Sequence, residues 1–113
     1  MPNILIVGLE LSLAEQLVSV LNQLGQTVEI AGTLPEDHPI QLIFAPEDQL
    51  RQVQDTHPSV PVIVVSRVPE VSAWLQALEH GAADYCGTPF EARQLRWALN
   101  SALAPTNRIA AAA

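Results

Sequence analysis

Residues 61–103 read PVIVVSRVPEVSAWLQALEHGAADYCGTPFEARQLRWALNSAL, and the fold is decided in this stretch. Residues 61–65 form a short unbroken apolar run, the pattern of a strand covered on both faces, with Ser66 at its carboxyl end. Pro69 opens a helix predicted over 70–80. Val71, Trp74, Leu75 and Leu78 recur in it at i, i+3, i+4 and i+7, which predicts a core-facing stripe. Gly81 follows as the left-handed stop. Residues 83–86 suit another short strand. Thr88-Pro89-Phe90-Glu91 is a capping box with proline at the first helical position, so the last helix is expected to start there. It should run to about Leu103 with Leu95, Ala98, Leu99 and Ala102 facing inward.

The same alternation extends toward the N-terminus. Ile4-Leu5-Ile6-Val7 is an apolar strand ending at Gly8, and Ser12-Leu13-Ala14-Glu15 is a capping-box start for a helix. Leu13, Leu17, Val20, Leu21 and Leu24 fall on one stripe of that helix, and Gly25 stops it. Residues 27–31 and 40–45 read as strands. Residues 46–55 suit a short helix with Pro46 near its first position, Leu50 and Val53 on one side, and His57-Pro58 at its end. Between the second and third strands lie only Gly32 to Pro39, two prolines among them. A parallel crossover normally needs a dozen residues or more, so its helix is expected to be shortened or missing. Strands alternating with helices imply a doubly wound α/β domain with a parallel sheet and right-handed crossovers.

The chain of 113 residues makes one domain, expected over 1–103, with a low-complexity tail or linker over 104–113. Folding a chain this long buries roughly 65% of its surface, enough for one core. A net charge of −7 argues against nucleic-acid or anionic-membrane binding, since both need a basic face. The only basic side chains besides histidine are Arg51, Arg67, Arg93, Arg96 and Arg108, and they do not run together. A single cysteine, Cys86, rules out an internal disulfide and fits a reducing cytoplasm, and as part of a short strand it reads as an inert core thiol. No apolar run approaches a membrane span, and MPNILIVG lacks the basic start of a signal peptide, so a cytoplasmic location is expected. His38, His57 and His80 have no metal-ligand spacing, so no metal and no cofactor is assigned.

From Pro61 onward, the order PVIVVS, helix, GAADY, Thr88-Pro89-Phe90 and helix resembles the second half of a bacterial response-regulator receiver domain. The resemblance covers about residues 3–103 and is looser before Pro61. It implies a flavodoxin-like, five-stranded parallel sheet of order 2-1-3-4-5 with its site at the carboxyl ends of strands 1, 3 and 4, the edge at which open α/β sheets bind ligands. In that family an acidic pair after strand 1 holds Mg²⁺. The matching positions are Gly8 and Leu9, with Glu10 next, so Glu10 is a weak metal candidate at most. The acceptor aspartate aligns with Pro46, which has no nucleophile. The lysine before Pro-Phe aligns with Thr88, read here as a helix cap, and the chain contains no lysine. Ser66 matches the switch hydroxyl and Tyr85 the switch aromatic, expected here as a fixed, half-buried ring. Glu47 or Asp48 could serve as displaced acceptors, but first-turn acids favouring a helix N-terminus is the plainer reading.

The resemblance also implies a partner surface built from the family's helix 4, strand 5 and helix 5, which receivers commonly use to dimerise. Trp97 lies opposite Leu95 on the last helix, alongside Arg93 and Ser101, and reads either as an interface anchor or as a ring folded over the domain edge. Trp74 lies on the expected core stripe and reads as mainly structural, while the resemblance also makes it, with Tyr85, Arg93 and Trp97, a candidate for that dimerisation face. Together these positions imply a degenerate receiver of a two-component-type signalling protein. It would not be an enzyme, and it would act through a protein partner, an output domain or kinase, or through a homodimer. The alternatives are a receiver phosphorylated at Glu47 or Asp48, and a flavodoxin-like small-ligand domain whose loop from Gly8 to Leu13 has a single glycine.

Overall fold

The computed structural model describes residues 4–31, 40–66 and 70–103. Five strands, β1 (Ile4–Val7), β2 (Val28–Ala31), β3 (Leu42–Pro46), β4 (Val62–Ser66) and β5 (Asp84–Gly87), pair in parallel in the order β2-β1-β3-β4-β5. Four helices follow the strands among the described residues: α1 (Leu11–Gln23), α2 (Leu50–Thr56), α3 (Val71–Glu79) and α4 (Ala92–Leu103). A 3₁₀ turn, Glu47–Gln49, leads into α2. The expected sheet order is the observed one. The expected shortened crossover over 32–39 and the tail over 104–113 lie outside the described residues.

Every residue of β1 is buried, as its unbroken apolar run predicts for a central strand. Alternation along the strands builds two cores. Ile4, Ile6, Leu42, Phe44, Ile63, Val65 and Cys86 face α1 and α4, where Leu13, Leu17, Leu21, Leu95, Ala98 and Leu99 meet them. Leu5, Val7, Ile43, Ala45, Val62, Val64 and Tyr85 face the other way, onto Leu50 and Val53 of α2 and Ala77 of α3. Each large aliphatic side chain buried this way contributes about 1.5–3 kcal/mol.

The stripe of α3 departs from its sequence reading. Val71, Trp74, Leu75 and Leu78 do not face the sheet. They are exposed, Val71 by 68%, while Ala77 is fully buried and Ala73 partly so. The two alanines, four residues apart, share one face, and that face meets the sheet because small side chains let the helix backbone lie close to it. The large residues lie on roughly the opposite side.

Three helix starts also differ from expectation: α2 begins at Leu50, because Pro46 ends β3 and the 3₁₀ turn Glu47–Gln49 comes between. α1 begins at Leu11, one residue before the expected Ser12, and its N-cap Glu10 makes no side-chain capping hydrogen bond. α4 begins at Ala92, and the Leu95 N–H donates to the Glu91 carbonyl at 3.0 Å. Thr88 is therefore not its cap, and Pro89 is not its first residue. Instead the Thr88 N–H donates to the Ser66 carbonyl at 3.3 Å, carrying the β4–β5 pairing one residue past Gly87. The Thr88–Pro89 peptide bond is cis.

The helix stops match their reading. Gly81 has φ +93°, the Gly81 N–H donates to the Leu78 carbonyl at 3.1 Å, and the Ala82 N–H donates to the Ala77 carbonyl at 3.0 Å. This paired closure requires a left-handed residue, which glycine supplies without steric cost. The same pair of bonds closes α1 at Gly25 and Gln26. The Gln54 side-chain amide donates to the His80 carbonyl at 2.8 Å and ties α2 to the end of α3.

Candidate functional site

The strand order places a topological switch between β1 and β3, because the chain leaves these neighbours toward opposite faces of the sheet. Their carboxyl ends open a cleft of about 670 Å³. Ile6 pairs with Phe44, so Gly8 and Pro46 stand level two residues farther on. Pro46 pairs with Val65 of β4, and Ser66 pairs with Gly87 of β5. Gly8, Leu9, Glu10, Pro46, Glu47, Asp48 and Ser66 all line the cleft. The positions singled out from sequence at the ends of strands 1, 3 and 4 therefore converge, and Thr88 borders a smaller neighbouring hollow with Ser12 and Gln16.

The chemistry of this cleft is sparse. Gly8 has φ +71°, and a Cβ there would collide with the side-chain amide of Gln49, which packs over it. The position that the resemblance assigns to a metal-binding carboxylate is thus filled by a carboxamide from the 3₁₀ turn. Glu10 is exposed at the N-cap position of α1, and Glu47 and Asp48 are exposed on the turn. Among the described residues no group of three or more His, Cys, Asp or Glu side chains is arranged to hold a metal. The residues present do not fit the divalent ion that the resemblance implies. Gln49 was not singled out from sequence. Glycine at position 8 was the available signal, but nothing local pairs it with a residue so far along the chain.

A second concave region lies on the other edge of the molecule. Glu70, Val71 and Trp74 of the α3 end, Asp84 and Tyr85 of β5, and Gln94 and Trp97 of α4 enclose a groove of about 420 Å³. Trp97 is 73% exposed, so it does not fold over the domain edge, and Trp74 is a surface residue instead of a core one. Tyr85 is 6% exposed, deeper than the half-buried ring expected. Its hydroxyl is buried and has no hydrogen-bond partner among the described residues. The Tyr85 N–H donates to Asp84 Oδ1 at 2.7 Å, which fixes the carboxylate at the groove floor. Arg93 is exposed on α4 but does not line the groove. Glu70, Asp84 and Gln94 were not singled out, and no local spacing could have shown them, since Asp84 and Tyr85 are successive strand residues on opposite faces and Glu70 precedes the helix.

Cys86 sits in the core facing α4. Burial, and then the neighbouring Asp84 carboxylate, pushes its thiol up to about 12, so it holds no thiolate at neutral pH. No described helix is long and apolar enough to cross a membrane.

No protein-family model matches the chain. A curated relative, the luminescence regulatory protein LuxO of Vibrio campbellii, is 31% identical over 62 residues, which is 55% of this chain and 14% of LuxO. A receiver-domain protein from Clostridium thermocellum superposes with a TM-score of 0.77 at 20% identity, over 96% of this chain and 99% of that one. NtrX from Brucella abortus, solved in complex with ADP, gives 0.75 at 22% identity, over 97% of this chain but only 28% of its own. The chain thus spans about a seventh of LuxO and under a third of NtrX. These likenesses give it the fold of response-regulator receiver domains.

Proposed function

We propose that this chain is a receiver-type module of two-component signalling that is not phosphorylated and acts by docking a protein on its α3–β5–α4 face. The observation that carries the first half is Pro46. It ends β3 in register with Val65, inside the cleft where the acceptor carboxylate of a receiver stands, and its ring offers no nucleophile. Gln49 over Gly8, and threonine in place of the lysine, support the same reading, since phosphoryl transfer needs a metal and a cation to hold the developing charge.

The second half is supported by the surface of α3 and α4. Val71, Trp74, Leu75, Leu78 and Trp97 form an exposed apolar patch around the groove, and such patches mark interaction sites. A second copy of the chain is the alternative occupant, because the same face carries the acids Glu70 and Asp84 near the cations Arg93 and Arg96, as a self-complementary interface requires.

The deciding experiment incubates the chain with acetyl phosphate and Mg²⁺ and reads intact mass. No adduct is expected. A gain of about 80 daltons, one HPO₃, mapped to Glu47 or Asp48, would establish a displaced acceptor and overturn the reading.

A further inference from the structure

We propose that the groove between α3, β5 and α4 receives an arginine side chain from the partner protein. The inference rests on reading this face as the docking surface and adds the chemistry of what enters it.

The lining dictates the ligand. Trp74 and Trp97 supply two indole faces, and they are the only tryptophans of the chain. Tyr85 supplies a third ring with a buried hydroxyl that no described residue satisfies. That hydroxyl is closed off from solvent and takes no part in what the groove binds. Glu70 and Asp84 add two carboxylates, and no basic side chain is among the described lining residues. An apolar occupant would leave both acids unanswered. An anion would be repelled, in the groove and by the net charge of −7.

Guanidinium answers all of them. Its plane stacks on indole, its aliphatic stem covers the exposed Val71, and its N–H donors pair with a carboxylate. Lysine offers a compact ammonium that stacks less well and lacks the planar fork that matches a carboxylate. Arginine on an otherwise apolar segment also matches the patch of Leu75 and Leu78 beside the groove.

The two tryptophans make the test direct. The chain is titrated with acetyl-Leu-Ala-Arg-Ala-Leu-amide and with the same peptide carrying citrulline, the neutral isostere of arginine, and tryptophan fluorescence is read. A saturable change is expected with the arginine peptide, with a dissociation constant on the order of 1 mM. The citrulline peptide should bind about tenfold more weakly, the loss of one partly desolvated cation–π contact and its ionic component. Asp84→Asn and Trp97→Ala should each weaken the arginine peptide by a similar factor, and Trp74 still reports in the second. Equal binding of the two peptides, or none of either at several times that concentration, overturns the inference. So does a chain that sediments as a dimer with both tryptophans shielded from acrylamide, because a second copy then fills the groove. None of these outcomes touches the phosphoacceptor, whose failure is read independently by mass.

Discussion

α3 and α4 flank the same strand, carry apolar residues at the same helical spacing, and are used in opposite ways. α4 turns Leu95, Ala98, Leu99 and Ala102 onto the sheet, with Leu95 only 1% exposed. α3 turns its large residues out and anchors itself on Ala77. Periodicity therefore establishes that a segment is an amphipathic helix, but it does not say whether its apolar side meets the protein's own core or another molecule. On α3 the balance tips because Ala73 and Ala77 form a second, smaller stripe that fits close against β4 and β5. The apolar stripe left over once the core is complete is the surface on which we propose that a partner docks.

The contrast can be broken by mutation, and the largest effect belongs to α4. Leu95→Ala should cost about 2–5 kcal/mol in urea unfolding, because it opens a cavity in the core shared with α1. A loss below 1 kcal/mol would place that side chain outside the core. Next comes the small side of α3. Ala77→Leu should destabilise by about 1–3 kcal/mol through overpacking between helix and sheet. If it is neutral, the helix has room to rotate and its outward stripe is not fixed.

A smaller effect sharpens the contrast by pH. Cys86 faces α4, and its thiol is held at about 12 against an ordinary 9.0. Between these values the unfolded chain releases a proton that the folded chain keeps, so stability falls as pH rises through that window, by at most about 1.4 kcal/mol per pH unit. Cys86→Ala should remove that component of the alkaline slope. The same thiol should react with a disulfide reagent at pH 8 only after denaturation. The smallest effect belongs to the outward face of α3. Leu75→Gln should shift stability by no more than about 0.5 kcal/mol, while lowering binding of the fluorescent apolar dye ANS. A larger loss of stability would return Leu75 to the core.

Much of the fold was legible from residue order. The unbroken run Ile4–Val7, the Gly25 and Gly81 stops and the stripe Leu13, Leu17, Leu21 each specify local structure through local chemistry, and each stands where it was expected. The start of α4 was not legible. Thr88 and Pro89 carry every local mark of a helix start, yet the Thr88 N–H continues the pairing with Ser66 on β4 and the helix begins only at Ala92. In the cleft, Gly8, Pro46 and Ser66 could be aligned from sequence because they end strands. Gln49 could not, since its contact with Gly8 depends on how the 3₁₀ turn after β3 folds back. In the groove, Trp74, Tyr85 and Trp97 could be grouped from the resemblance as one partner surface, but that Glu70, Asp84 and Gln94 join them, and that Arg93 does not line the groove, only packing decides.

The sequence by itself determined which segments are strands and helices, that the sheet is parallel, and that no lysine exists to contact a phosphoryl group. These follow from local propensity, from alternation and from composition, all carried by neighbouring residues. The tertiary structure alone decided which side of α3 is buried, which carboxamide packs over Gly8, and that two tryptophans, a tyrosine and two acids share one groove. Those outcomes depend on side-chain volumes competing across elements far apart in the chain, and such competition is settled only when the elements pack together.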